Sequence, residues 1–342
     1  MDWEKLVNTK MKDWHIKPSL PDERDWPLKA ITEPSVEIPE AATLEHHFPF
    51  VMDQHKNPYC GGYAGAGTAN SYFWSMGKLP IGGFSPAWIY WQAKEIDGLP
   101  GRDGTTLRAV LQVMRKVGMC PEALCPTLPG NTKPKFTDAM YREAEKYKIK
   151  AYARLNVDTL NEIQQAIASG KMVLIGSIVT WTNWADGWIV QPEGIIAGGH
   201  ATMQLAYDKN MKHQEKGQIF VNFNIGPNSW GRGWGFDGFY RMCEHYAKYR
   251  FDDLGGVSAL MEAWAVEFEK PLTPKIPPAK KEFDVPPILL NGRTMVELRS
   301  LADLAGVKEI GWDEHAHKVT LRYADKVVTL RIGKKEYEVT RM

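Results

Sequence analysis

The chain has 342 residues, with 42 Lys plus Arg against 41 Asp plus Glu, 44% apolar and 11% aromatic residues, which is the composition of a folded protein of one large or two unequal domains. A formal charge of +1 argues against a general nucleic-acid binder, which needs a surplus of Lys and Arg to displace counterions. Four cysteines without a paired CxxC array exclude a disulfide scaffold and point to no zinc site, and the polar start Met1-Asp2-Trp3-Glu4-Lys5 carries neither a secretory signal nor the opening of a membrane span.

Taken in order, residues 1–38 are interrupted by Pro18, Pro21, Pro27 and Pro34 and hold Trp3, Trp14 and Trp26. Prolines forbid a long periodic element, and three large aromatics are too many for a free tail, so an extended arm lying against a folded body is expected. Small residues interspersed with Tyr63, Tyr72 and Phe73 predict a buried helix over 61–76, held by packing because Gly61, Gly62, Gly65 and Gly67 lower its own propensity. Ser85-Pro86 caps a helix over 86–96; Leu107, Val110, Leu111 and Met114 share one face of another over 105–117; shorter helices are expected over 140–147 and 159–168. Strands are expected over 172–179, 201–207, 218–225, 238–242 and 263–268. Helices first and strands second describe an α+β body of two lobes with a cleft between them.

The run 270–287 is rich in Pro and Lys and reads as a semi-rigid linker after a body spanning 39–269. A small domain at 288–342 follows, with a strand near 288–290, an Asn291-Gly292 turn, a helix over 296–304 and strands over 318–323, 326–332 and 335–339.

Four residues carry chemistry together. Cys60 precedes the small-residue helix, where unpaired backbone donors and the helix dipole favour a thiolate. Gln54, six residues earlier, and the Cys60 backbone N–H present two donors to a tetrahedral oxyanion. His200 opens an apolar strand and is suited to take the thiol proton and return one to a leaving group. Asn228, in Gly226-Pro227-Asn228-Ser229-Trp230-Gly231, offers a carbonyl that fixes the imidazole tautomer, with Trp230 covering that bond from water.

This Cys-then-His-then-Asn order resembles the papain-like cysteine peptidases, as do Gly199-His200-Ala201 and Asn228-Ser229-Trp230-Gly231 followed by Trp234-Gly235. Leu20-Pro21-Asp22-Glu23-Arg24-Asp25-Trp26, Ser85-Pro86-Ala87-Trp88 and Asp103-Gly104-Thr105-Thr106 resemble a bacterial or phage branch of that family, so the resemblance spans roughly 14–268. Pro58-Tyr59 before the nucleophile departs from the family pattern, and Tyr59 is expected to narrow access to the sulfur. The resemblance implies a two-lobed papain-like fold, a helical lobe beside an antiparallel β-barrel-like lobe. It implies hydrolysis of peptide bonds through a Cys60-His200-Asn228 triad with Gln54, without metal or organic cofactor. Gly199, Ala201, Trp230 and Trp184 are the implied substrate contacts. The first 38 residues then stand as a propeptide-like segment. The alternative is an inactive peptide-binding relative, or a structural protein of a virion or cell surface.

The tail motif Asn291-Gly292-Arg293-Thr294-Met295 with Leu304-Ala305-Gly306 and Trp312-Asp313 resembles the stalk domain at the N-terminus of copper amine oxidases, which implies attachment or spacing. The expected partner is a protein or peptide substrate, with cell-surface or virion attachment through the tail. The expected location is cytoplasmic or virion-associated, with the extracellular space or cell surface as the alternative. Cys120 and Cys125 read equally as a bridge or as two buried thiols.

Overall fold

The computed structural model describes residues 3–32, 38–182 and 184–276, together with residues 288–290, 293–295, 309–313, 318–323, 326–331 and 337–341. It divides into two compact units, Met1–Ile276 and Pro277–Met342. In the first, helix α1 (Trp3–Thr9) and the short strands β1 (Ile16–Lys17) and β2 (Ala41–Thr43) precede a helical half made of α2 (Cys60–Ser75), α3 (Pro86–Lys94), strand β3 (Thr105–Thr106), α4 (Leu107–Lys116) and α5 (Asp138–Ala144). Strand β4 (Ala151–Leu155), α6 (Asn161–Ala168) and strands β5 (Met172–Thr180), β6 (Trp188–Ile189), β7 (Ile196–Gln204), β8 (Ala206–Glu215), β9 (Gln218–Pro227) and β10 (Phe239–Cys243) follow. Helix α7 (Glu244–Lys248) and strands β11 (Arg250–Phe251), β12 (Val257–Ser258) and β13 (Leu260–Glu267) close the unit.

Helix α2 is buried around most of its circumference, as expected of a helix without a polar face. Its glycines let neighbours approach: a Cβ on Gly62 would stand 2.3 Å from the Pro86 carbonyl oxygen, and one on Gly61 3.2 Å from Val110. Tertiary contact with α3 and α4 thus replaces the propensity that the glycines remove. Ser85 Oγ accepts from Trp88 N at 3.0 Å to cap α3, which carries Pro86 in its first turn. Thr106 caps α4 in the same way, so that helix starts at Leu107 and the two preceding residues expected in it form β3 instead, paired in parallel with β1.

The second half contains two open antiparallel arrangements. One runs β4-β13-β5-β7; the other runs β2-β8-β9-β10, with β6 added in parallel at the β10 edge. The β-barrel-like lobe is therefore made of open sheets, and no closed barrel forms among the described residues. All nine residues of β5 are buried, as befits an inner strand covered on both faces. Strand β4, unrecognised in the sequence, alternates buried and half-buried residues over five positions, too short a run to stand out. Segment 19–26 is fastened to both halves: Asp25 pairs with Arg108 of α4 and Arg154 of β4, Arg154 N donates to the Trp26 carbonyl at 2.8 Å, and Ser19 N donates to the buried Glu262 carboxylate at 3.2 Å.

The second unit contains a hairpin of β14 (Ile288–Leu290) with β15 (Arg293–Met295). It also contains a four-stranded antiparallel sheet β16 (Glu309–Asp313), β17 (Lys318–Tyr323), β18 (Lys326–Arg331) and β19 (Tyr337–Arg341). The helix expected over 296–304 lies outside the described residues. No helix among those described is long and apolar enough to cross a membrane.

Candidate active site

The fold brings three remote stretches together. Cys60 is the first residue of α2; His200 lies in the middle of β7, opposite Ser177 of β5; Asn228 directly follows β9. His200 Nε2 and Asn228 Oδ1 are 2.8 Å apart, and Asn228 Oδ1 also accepts from Ser229 N at 2.7 Å. With the Nε2 proton donated to Asn228, Nδ1 is the basic nitrogen. The next backbone N–H, that of Ala201, acts on the Cys60 sulfur together with those of Gly61 and Cys60 itself.

Gln54 is held by the loop that carries Asn228. Its Oε1 accepts from Ser229 Oγ at 2.6 Å, its backbone N donates to the Ser229 carbonyl at 2.8 Å, and its Nε2 donates to the Asn57 carbonyl at 3.0 Å. One amide hydrogen remains for another acceptor. Ser229, which ties the two loops together, was not singled out in the sequence; its place beside Asn228 was the available signal.

Two indoles enclose the imidazole. Trp230 stacks on His200 at 4.8 Å between centroids, and Trp184 meets it edge-on at 5.7 Å. Trp184 is only 2% exposed, and its Nε1 donates to Tyr246 at 3.0 Å, so it shields the ring where a substrate-contacting rim residue was expected. Trp181, three residues earlier, is the exposed one at 71%. Tyr59 is buried in a separate cluster, stacked on Tyr90 at 4.3 Å with its hydroxyl accepting from Trp91. Cys120 and Cys125 are both buried free thiols.

The arm crosses this site. Thr105 N donates to the His15 carbonyl at 3.2 Å, and a Cβ on Gly104 would lie 2.2 Å from the Trp14 carbonyl oxygen. Across from it, a Cβ on Gly199 would lie 2.2 Å from the Ile16 carbonyl oxygen, so both walls need glycine for the arm to pass. Ile16 Cδ1 reaches within 3.4 Å of the Cβ position of Gly61, beside the sulfur. Lys17 is wholly buried, its ammonium donating to the Trp14 and Asp103 carbonyls at 2.8 Å each, and burial pulls its pKa down to about 8.

Under this cover the electrostatics reverse the sequence expectation for the thiol. Cys60 has no exposed surface, and burial pushes its pKa up to about 11 against the opposing pull of the helix-terminal N–H groups. The same cause lowers His200 to about 4, despite the hydrogen bond to Asn228 that favours its charged form. Thiol and imidazole are thus both neutral in the closed state.

Residues 94–253 match the papain family cysteine protease model, and residues 276–342 match the copper amine oxidase N-terminal domain. An uncharacterised peptidase C1-like protein of Acanthamoeba polyphaga mimivirus is 25% identical over 209 residues, covering 54% of this chain and 63% of that protein's length. The chain thus spans less than two thirds of the curated relative. Among solved structures, xylellain, a cysteine protease from Xylella fastidiosa, superposes with a TM-score of 0.59 at 23% identity, over 76% of this chain and 98% of its own. Digestive procathepsin L 3 of the Tenebrio molitor larval midgut gives 0.54 at 14% identity, over 78% of each chain. Procathepsin B S9 from Trypanosoma congolense gives 0.54 at 14% identity, over 79% and 89%.

Proposed function

From a chain that carries a papain-family segment on a papain-like fold, we propose a cysteine-type peptidase that works through Cys60, His200 and Asn228, with Gln54 as an oxyanion donor. The observation that carries this reading is the 2.8 Å bond from His200 to Asn228 on the strand whose next N–H acts on the Cys60 sulfur. His200 Nδ1 takes the Cys60 proton, and the thiolate attacks the scissile carbonyl carbon. The imidazolium then protonates the departing amine, leaving a thioester on Cys60. His200 next takes a proton from water, whose oxygen displaces the sulfur; the carboxylic acid leaves and the thiol is restored. Gln54 Nε2 and the Cys60 backbone N–H donate to the oxyanion in both halves, an interaction worth about 3 to 4 kcal/mol.

The arm over the site belongs to the same reading. Residues 14–17 occupy the groove between Gly104 and Gly199 that an extended substrate needs, so turnover requires their withdrawal or cleavage. Segment 19–26, fastened through Glu262 and Asp25, stays in place. The second unit would serve for spacing or attachment, supported by its family match and by the Pro and Lys run before it. Cleavage of a random peptide library by the full chain and by a chain starting at Pro18 tests the proposal, with Cys60→Ala and His200→Ala as controls. Turnover that appears after truncation and vanishes in both variants supports it; a truncated, folded and inert protein favours a peptide-binding role.

A further inference from the structure

A second cavity of about 750 Å³ lies away from the triad. Four segments enclose it: residues 26–32, residues 150–151 at the start of β4, the turn 170–171 between α6 and β5, and residues 266–272 at and after the end of β13. The last two are joined where Leu272 N donates to the Gly170 carbonyl at 3.1 Å. Tyr72, near the far end of α2, forms part of its wall, twelve residues or roughly 18 Å along the helix from Cys60.

The wall is strongly basic. Lys29, Lys150, Lys171 and Lys270 face a single acid, Glu267, which already pairs with Lys150 at 3.3 Å. Lys171 is only 8% exposed; among the described residues its ammonium makes no close hydrogen bond or ion pair, and Glu267 acts on it through space. Thr32 Oγ1, also on this wall, is buried without a partner among them. Burial holds Lys171 below the ordinary lysine value against the opposing pull of Glu267, so its charge is costly where it sits. Such a group is paired when an anion arrives from outside the chain.

The donor set also indicates which anion. Among the described residues the wall contains lysines and no arginine. Ammonium groups bind anions as point charges, phosphate among them, and several around one cavity favour the anion of highest charge density. Ammonium groups on four segments around one cavity suit a ligand with more than one phosphate. Trp26, 47% exposed at the rim, offers an aromatic face beside them.

We propose that the cavity among Lys29, Lys150, Lys171 and Lys270 binds a ligand carrying two or more phosphate groups, with Lys171 as its central contact.

Calorimetric titration of the full chain at low salt with inorganic pyrophosphate, ADP and citrate tests this. Saturable one-to-one binding of pyrophosphate or ADP is expected; tighter binding of ADP, lost in Trp26→Ala, identifies a nucleotide, and equal binding identifies the phosphates alone. Lys171→Met should weaken binding at least tenfold, the value of one charge-assisted contact, and exposed Lys270→Gln several-fold, both without lowering the unfolding temperature. Lys212→Gln, which removes the same charge from β8, should change nothing. Absence of saturable binding, citrate binding as tightly as pyrophosphate, or equal losses in Lys270→Gln and Lys212→Gln would each overturn the proposal. None of these readings depends on peptidase activity.

Discussion

Replacing Ile16 by Asp tests the closed state most directly. Ile16 is wholly buried between the start of α2 and Gly199. Full burial of such a side chain is worth roughly 1.5 to 3 kcal/mol, and seating a carboxylate there instead adds a desolvation cost of similar size. A total of about 3 to 6 kcal/mol lost from arm docking corresponds to a shift of roughly 10²- to 10⁴-fold toward the open arm, at 1.4 kcal/mol per tenfold. The assay is the rate of iodoacetamide modification at each cysteine, read by mass spectrometry. Cys60 should react 10²- to 10⁴-fold faster in Ile16→Asp, up to the limit set by the fully open arm. Cys120, Cys125 and Cys243, all buried away from the arm, serve as internal controls and should stay protected. An unchanged Cys60 rate would refute the arm as its cover. A parallel rise at all four would show that residues 14–17 belong to the cooperative core and do not detach alone.

Other consequences follow from the same geometry. Asn228→Ala removes the acceptor of both His200 and Ser229 N, so stability should fall by about 1 to 3 kcal/mol in denaturant melts and kcat of the arm-free enzyme by about 10²-fold, with KM little changed. Because His200 is lowered from 6.5 to about 4, the folded state favours neutral imidazole. That contribution is intact above pH 6.5 and is lost as pH falls through the window to about 4, about 3 kcal/mol in all. The difference in unfolding free energy between the wild type and His200→Gln should therefore change across that window and be flat above it. Gly62→Ala forces a methyl to within 2.3 Å of the Pro86 carbonyl oxygen, and its denaturation midpoint should fall by the equivalent of about 3 kcal/mol with an unchanged m-value. Ser229→Ala cuts the side-chain tie to Gln54, so kcat should fall several-fold in the arm-free enzyme while the melting temperature stays within a few degrees.

Local chemistry in the chain was enough to locate the longer helices and several of the strands of the first unit. Capping at Ser85, one-faced apolar spacing in 107–114 and the apolar run of β5 are short-range signals, and the corresponding helices and strand lie within a few residues of the expected bounds. The small-residue stretch after Cys60 also announced a helix that only neighbours could stabilise. Expectation and structure part where distant groups decide the outcome. The helix terminus suggested a thiolate, but burial of the sulfur in the folded chain brings a desolvation penalty that outweighs the local N–H groups. Trp184 was an implied substrate contact; Tyr246, Trp230 and His200, all remote in sequence, draw it into the interior and leave Trp181 outside.

The sequence by itself determined which residue types stand at which spacing, and so the α+β layout of the first unit and the candidate Cys, His, Asn and Gln set. Only the tertiary structure decided that residues 14–17 lie across that set and that Ser229 binds Gln54 to the Asn228 loop. It alone brought four lysines around one cavity. The reason is physical: capping, periodicity and turn chemistry act over a few residues, whereas burial and charge proximity depend on segments that meet only after the chain has folded.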